Sequence, residues 1–237
     1  MDGLWLQVLQ ATGRGLWVTL QVSALSLLIG LVIGLPTALL RVYGPRVPRL
    51  LATCYVELFR GTPLLVQLFL IYYGFSDPNV SRFLAQLGLP PTLLTLEPFT
   101  AAYIALGLNS GAYQAEYFRG ALQAISSGQM IAARALGMTR LQAIRHIILP
   151  QAIRLALPPW SNEVAYMVKY TSIVSLIAVQ DLFGEIRSII SAYYNPMVMY
   201  PYVGLVYLVI VMILSWVMAR VEAHFRIPGL EIEFDRT

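Results

Sequence analysis

The sequence contains few charged residues. Of its 237 residues, 12% are charged and 58% are hydrophobic, and the mean hydropathy is +0.68. About a quarter of the residues in a soluble domain are charged. The composition therefore excludes an ordinary soluble domain and predicts a protein embedded in membrane lipid.

Residues suited to catalysis or metal binding are also scarce. The single cysteine, Cys54, excludes an internal disulfide and a multi-cysteine metal site. The two histidines, His146 and His224, are too isolated to indicate a metal site. The one lysine, Lys169, follows Val168, so the chain has no G-x-x-x-x-G-K-[ST] loop for nucleotide phosphates. We predict no catalytic residue, metal site or cofactor in this chain.

Long apolar stretches predict one all-α membrane domain over residues 1–237, with five transmembrane helices. Residues 15–40 carry no charge, which is enough to cross about 30 Å of hydrocarbon. Within them, Gly30 and Gly34 have the GxxxG spacing of close helix packing. The predicted spans cover approximately residues 16–40, 50–75, 99–117, 155–179 and 202–219, and the second is interrupted between Glu57 and Pro63.

The basic residues predict the orientation of these spans. Fifteen of the sixteen are arginines scattered singly, which does not indicate a nucleic-acid partner. Eleven fall in the loop after span one, in the segment between spans three and four, and in the C-terminal tail, against three on the other side. Because cytoplasmic loops carry the excess of Lys and Arg, the N-terminus is predicted outside and the C-terminus in the cytoplasm.

The segment from Ser126 to Arg154, which we call the charged segment, is predicted to form two short helices joined at Gly137. Thr139 and Gln142 have the spacing of a capping box at the start of the second helix. Pro150 is predicted to end that helix. The second helix is amphipathic, with Leu141, Ile144, Ile147 and Ile148 opposite Gln142, Arg145 and His146. From periodicity alone, it could pack on its own domain or lie at lipid headgroups.

Ionisable residues also fall inside the predicted spans or at their edges: Glu57, Arg60, Glu116, Glu163 and Lys169. A charge at mid-membrane costs on the order of 2.5–3.5 kcal/mol and usually faces protein or a water-filled path. Glu57 and Arg60 are three residues apart, so a mutual ion pair and a functional role are both open. Glu163 and Lys169 lack ion-pair spacing, which favours a role in lining or gating a path.

The charged segment resembles the cytoplasmic signature of type I ABC importer permeases, which reads E-A-A, three residues, Gly, nine residues, I-x-L-P. The matching residues are Ala132, Ala133, Gly137, Ile147, Leu149 and Pro150. Ile131 stands where the family has Glu, so a contact made by that carboxylate does not carry over. The resemblance implies a coupling helix that docks into a groove of a cytoplasmic ATPase.

Other stretches are similar to the polar amino acid branch of this family, the relatives of histidine, glutamine, arginine and glutamate permeases. They are ELFRGTPLLVQLFLIYYG at residues 57–74, E-x-x-R-G at 116–120, and N-E with K-x-T-S-I at 162–173. The resemblance implies a contact between two permease subunits near Arg60, Gly61, Thr62, Pro63 and Gln67. It implies a gate or substrate site near Asn162, Glu163, Lys169, Thr171 and Ser172.

The resemblance further implies partners and a mechanism. A second permease subunit, identical or paralogous, would complete the translocation path. Two ABC ATPase subunits would bind ATP and Mg²⁺, and an extracytoplasmic binding protein would deliver the amino acid. The chain itself would be a permease of the bacterial cytoplasmic (inner) membrane that works by alternating access, not an enzyme.

Two other functions stay open from the residues alone. A secondary transporter or channel would use Glu163 and Lys169 to relay ions without nucleotide. A membrane scaffold would use the charged segment to recruit an unrelated soluble partner, but it gives no purpose to the ionisable residues of span four.

Overall fold

The computed structural model describes residues 2–88 and 96–225, and these residues form helices and no strand. The helices are α1 (Asp2–Tyr43), α2 (Arg46–Gly61), α3 (Leu64–Ser76), α4 (Pro78–Gln86), α5 (Pro98–Ala124), α6 (Ser127–Ala135), α7 (Arg140–Ala143), α8 (Leu149–Tyr170), α9 (Leu182–Tyr193) and α10 (Pro196–Phe225). A π-helical turn (Ile144–Ile148) joins α7 to α8, and a 3₁₀ helix (Thr171–Ile177) follows α8. The all-α prediction is confirmed. Residues 226–237 of the tail predicted to be cytoplasmic lie outside the described residues.

The first helix, α1, packs along α5 through two glycines. A Cβ atom added to Gly30 would overlap the Gln114 side chain. One added to Gly34 would lie 2.9 Å from the Gly111 carbonyl oxygen and 2.9 Å from Gln114 Cβ. The prediction that Gly30 and Gly34 allow close helix packing is confirmed.

Replacing Gly34 with Ala should therefore separate α1 from α5 and lower stability by about 1–3 kcal/mol, as overpacking does. The measurement is the thermal unfolding midpoint in detergent. Gly13→Ala is the matched control, since its added Cβ would meet no atom within 4 Å. Equal midpoints for the two variants would contradict the close packing.

The predicted second span is broken into α2 and α3, whose axes differ by 106°. Thr62 lies between them in an extended conformation, as expected of a residue that precedes a proline. The Gln67 amide donates to the Phe59 and Thr62 carbonyls at 2.8 and 3.0 Å, and the Asn109 amide donates to Phe59 at 3.1 Å. These hydrogen bonds satisfy carbonyl groups at the end of α2 and thereby stabilise the break between α2 and α3.

Pro150 does not end the second helix of the charged segment, so that prediction is wrong. The chain stays helical from Arg140 to Tyr170, with Pro150 in the first turn of α8. A proline inside an α-helix clashes with the carbonyl four residues earlier and cannot donate a hydrogen bond. Here the wider π-helical turn precedes the proline, and the Leu149 N–H donates to the Ile144 carbonyl five residues back. This wider turn accommodates Pro150 within the helix.

The turn after the 3₁₀ helix is fixed by a buried carboxylate. Asp181 accepts hydrogen bonds from the Gly184 and Phe183 N–H groups at 3.0 and 3.3 Å. The Tyr207 hydroxyl of α10 donates to it at 3.0 Å. Burial raises the pKa of Asp181 to about 6. Asp181 thus caps α9 and fixes it against α10.

Within the described residues, Gly3–Tyr43 and Pro196–Phe225 are long and apolar enough to cross a membrane. The bent pair α2 and α3 adds a third span if it counts as one broken helix. Predicted spans three and four correspond to α5 and α8, which are not among the helices that are long and apolar enough to cross a membrane. Polar residues interrupt both helices, among them Asn109, Ser110, Gln114, Asn162, Glu163 and Lys169. The number of five spans stays a prediction.

Candidate functional site

The charged segment forms two helices joined at Gly137, as predicted, but the second is not short, because α7 continues through the π-helical turn into α8. Ser126 caps α6 by accepting from the Gly128 N–H at 3.3 Å. Gly137 has a φ of 85°, a left-handed conformation that glycine adopts without strain. The Thr139 N–H donates to Gln142 Oε1 at 2.8 Å, and the Gln142 N–H donates to Thr139 Oγ1 at 3.3 Å. The predicted capping box is confirmed, and α7 begins there.

The outer face of the charged segment exposes large apolar side chains. Leu136 is 83% exposed, Leu141 is 74% exposed and Ile131 is 67% exposed. The predicted apolar arc is only partly correct, because Ile148 is buried whereas Leu141 is exposed. Large apolar side chains exposed on a segment outside the predicted spans are candidates for an interaction site. We call Ile131, Leu136 and Leu141 the apolar patch.

The inner face of the charged segment packs against its own domain. Ala133 and Ile148 are buried, and Met130 packs on a cluster that contains Ile148, Ala152 and Phe118. Among the predicted coupling residues, Ala133 is buried, Ile147 and Leu149 are half-buried, and Ala132, Gly137 and Pro150 are exposed. The expectation that the segment packs on its own domain is therefore confirmed for this face, whereas a position at lipid headgroups stays a prediction.

Glu116 of α5 contacts three arginines from three helices. It pairs with Arg119 at 2.7 Å, with Arg41 of α1, and with Arg60 of α2 at 3.8 Å. Glu57 lies 3.9 Å from Arg41. A Glu57–Arg60 ion pair is therefore not the arrangement observed, because each residue contacts a partner on another helix. Glu116 joins α1, α2 and α5 electrostatically.

Replacing Glu116 with Gln should destabilise the protein by about 2 kcal/mol, because it leaves three arginines without their shared carboxylate. The Glu116 side chain is only 14% exposed, against 70% for Glu57. Glu57→Gln is therefore the matched control, with an expected change of about 0.5 kcal/mol or less. Unfolding midpoints in detergent measure both, and similar losses would contradict the central place of Glu116.

Glu163 is buried between α8 and α5, with 4% of its surface exposed. The Ser110 hydroxyl donates to Oε1 at 2.7 Å, and the Tyr117 hydroxyl donates to Oε2 at 3.1 Å. In the described part of the chain, no basic side chain lies within ion-pair distance of this carboxylate. A buried carboxylate without a cation is available to a positively charged group.

The other predicted gate residues do not gather around the Glu163 carboxylate. Asn162 is exposed, and Thr171 is buried and donates to the Val168 carbonyl at 2.8 Å. The Lys169 ammonium lies 4.3 Å from the centre of the Tyr166 ring. Lys169 and Ser172 line a cleft of about 350 Å³ that is completed by Phe183, Tyr200, Val203, Gly204 and Tyr207. The predicted gate residues thus do not form one site, because Glu163 lies between α8 and α5 whereas Lys169 and Ser172 line a separate cleft.

The predicted interface residues lie at the break between α2 and α3. Arg60, Gly61, Thr62 and Pro63 are exposed, and the Arg60 guanidinium lies 5.3 Å from the centre of the Tyr113 ring. Gln67 is 6% exposed and supports the break from inside the chain. A role of Gln67 in a subunit interface stays a prediction. Its structural role is to hold the break through hydrogen bonds to the Phe59 and Thr62 carbonyls.

Sequence reasoning missed the partners that α5 provides to Glu163. Ser110 also accepts a hydrogen bond from the Gln114 amide at 3.0 Å, and Trp160 Nε1 donates to Gln114 Oε1 at 3.0 Å. The available signal was the series of polar residues within predicted span three. Such residues at mid-membrane indicate contacts with other helices.

No metal-binding cluster of three His, Cys, Asp or Glu residues occurs within residues 2–88 and 96–225. His146 lies in the π-helical turn and His224 in the last turn of α10. Cys54 is exposed on α2. In this part of the chain, the candidate sites consist of polar, ionic and apolar contacts.

Comparison with known proteins identifies the family. A family model described as the binding-protein-dependent transport system inner membrane component matches residues 27–227. The chain belongs to this family. The match confirms the prediction of an importer permease subunit in the cytoplasmic membrane. The permease is not an enzyme, since ATP hydrolysis belongs to a separate subunit of such transport systems.

Two relatives illustrate how far the similarity extends. The permease is 43% identical over 197 residues to the nopaline transport system permease protein NocM of Agrobacterium fabrum, covering 83% of this chain and 80% of the relative. It is 36% identical over 218 residues to the glutamine transport system permease protein GlnP of Escherichia coli, covering 90% and 92%. The similarity therefore spans most of each protein.

Solved structures show the same fold. The permease matches a chain from the crystal structure of an amino acid ABC transporter with histidines, with a TM-score of 0.79 and 37% identity over 93% of this chain and 96% of the other. A chain of the inward-facing MetNI methionine ABC transporter matches with a TM-score of 0.74 at 22% identity, covering 92% and 97%. The second match supports the fold alone.

Proposed function

We propose that the permease imports polar amino acids by alternating access, driven by two cytoplasmic ABC ATPases that bind ATP and Mg²⁺. The observation that carries the proposal is the apolar patch of Ile131, Leu136 and Leu141, more than 60% exposed at each position. A permease without a nucleotide site needs a surface that binds its motor. The relatives named for nopaline and glutamine transport, and the amino acid transporter fold, support the substrate class.

The proposed topology has five spans, with the N-terminus outside and the charged segment in the cytoplasm. Two contacts within the chain support the orientation that was predicted from the arginine count. The Arg140 guanidinium of α7 lies 5.5 Å from the centre of the Tyr43 ring, so the charged segment adjoins the loop after α1. Arg14 pairs with Glu185 at 2.9 Å, which joins two segments assigned to the outside.

Coupling would run through residues 126–154, with Gly137 at the joint and the apolar patch against the ATPase. Because Ile131 replaces the acidic residue of the family signature, this contact depends on apolar burial more than on charge. The exposed residues Arg60–Pro63 would face a second permease subunit, identical or paralogous. An extracytoplasmic binding protein would deliver the substrate.

Substrate contact is assigned to Glu163. Its buried carboxylate accepts two hydroxyl hydrogen bonds and has no cationic partner among the described residues. A zwitterionic or cationic amino acid would supply that charge through its ammonium group. Lys169, Ser172, Asn162 and Thr171 would line other parts of the path, since they do not contact this carboxylate.

The test is purification of the permease with the products of neighbouring genes, followed by reconstitution in liposomes. We expect an ATPase to co-purify, and one or a few polar amino acids to stimulate its activity when the binding protein is present. Uptake by this chain alone, driven by an ion gradient, would contradict the proposal and favour a secondary transporter.

A further inference from the structure

The two ends of the charged segment are joined by a reciprocal amide pair. Gln129 Nε2 of α6 donates to Gln151 Oε1 of α8 at 3.0 Å, and Gln151 Nε2 donates to Gln129 Oε1 at 2.6 Å. Gln151 Nε2 also donates to the Ile147 carbonyl in the π-helical turn, at 2.7 Å. We call Gln129 and Gln151 the amide clasp. It connects residues that are 22 apart in sequence.

The clasp differs in kind from the other contacts of α6. Met130 and Ala133 of α6 contribute apolar burial, which is non-directional and tolerates sliding. Hydrogen bonds weaken steeply when their angles change, so a two-way amide pair fixes distance and orientation together. Its second anchor is the Ile147 carbonyl, which lies in the π-helical turn.

The position of the clasp matters for the transmission of movement. Gly137 and the π-helical turn both interrupt the regular helix between α6 and α8, so backbone hydrogen bonds alone do not make these helices one rigid body. The clasp bypasses both interruptions. α8 in turn carries Glu163, so a displacement of α6 reaches the helix of the buried carboxylate through this pair.

We propose that Gln129 and Gln151 are positioning residues that transmit movement of the coupling helices to α8 and thereby set the amount of substrate moved per ATP. The proposal rests on the proposed function, in which an ATPase moves the charged segment. The clasp stays closed through the cycle, so that α6 and the start of α8 move together.

The test uses the complete transporter in liposomes, with uptake and ATP hydrolysis measured in the same sample. Gln129→Ala and Gln151→Ala should each leave the ATPase bound and hydrolysing, while uptake per ATP falls about tenfold for the loss of two hydrogen bonds. Gln129→Glu combined with Gln151→Lys should restore much of the ratio, because an ion pair can replace the amide pair. Gln86→Ala, an exposed glutamine on α4, is the control.

The outcomes separate this inference from the proposed function. Unchanged uptake per ATP in both alanine variants would overturn the coupling role of the clasp. A proportional fall of uptake and hydrolysis would also overturn it, because that result indicates a merely structural role. A failure of the unmodified chain to bind any ATPase would instead overturn the proposed function. Restoration by the charge pair is the result that a general loss of folding does not produce.

Discussion

Replacing Gly137 with Val is expected to reduce ATP-driven uptake at least about tenfold while the membrane domain stays folded. Gly137 has a φ of 85°, and a residue with a Cβ atom pays about 1–2 kcal/mol to adopt this conformation, more if it is β-branched. The space around Gly137 is open, so the effect comes from the backbone and not from a clash. A changed turn would rotate α6 relative to α7 and separate the parts of the apolar patch.

The matched control is Gly120→Val. Gly120 also has no atom within 4 Å of an added Cβ, but it lies in α5 with an ordinary helical conformation. Uptake by this control should stay close to that of the unmodified transporter. Equal uptake by both variants would contradict the role of Gly137 as the joint between the coupling helices.

Replacing Glu163 with Gln is expected to raise the amino acid concentration that half-maximally stimulates ATP hydrolysis about ten- to a hundredfold. This factor corresponds to the loss of one hydrogen bond to a charged group. The amide keeps the size of the side chain but offers no charge to an ammonium group. Basal hydrolysis should be retained, because Glu163 is buried in α8 and not in the charged segment. The measurement is the amino acid concentration that gives half-maximal stimulation.

A suitable control for this variant is Glu222→Gln near the end of α10, which removes a carboxylate from a helix that does not carry Glu163. Its half-maximal concentration should not change. If Glu163→Gln also leaves this concentration unchanged, substrate does not contact the Glu163 carboxylate, although the permease assignment would stand.

Local features of the charged segment were predictable because they depend on residues close in sequence. Gly137 and the Thr139–Gln142 capping box each involve a single turn, and both are confirmed. Pro150 was assigned wrongly because the accommodating π-helical turn precedes it and has no simple sequence pattern. The exposure of Leu141 also could not be predicted, since periodicity groups apolar residues without showing which neighbour covers them.

Contacts between helices were less predictable. Three-residue spacing suggested an ion pair between Glu57 and Arg60, yet the packing of α1 and α5 brings Arg41 and Glu116 to them instead. The search for ionisable residues inside predicted spans drew attention to Glu163, which the structure shows to be buried. Its hydroxyl donors, Ser110 and Tyr117, come from a helix more than forty residues away, and spacing gives no access to such contacts.

Retention of the ATPase by the purified permease tests the central claim most directly. The unmodified permease should retain it, and Leu136→Asp combined with Leu141→Asp should lose it, because both side chains belong to the exposed apolar patch. Tyr194→Asp is the control, since Tyr194 is 89% exposed but lies outside the charged segment, and this variant should retain the ATPase. Full retention by a folded Leu136→Asp, Leu141→Asp variant would contradict docking through the charged segment.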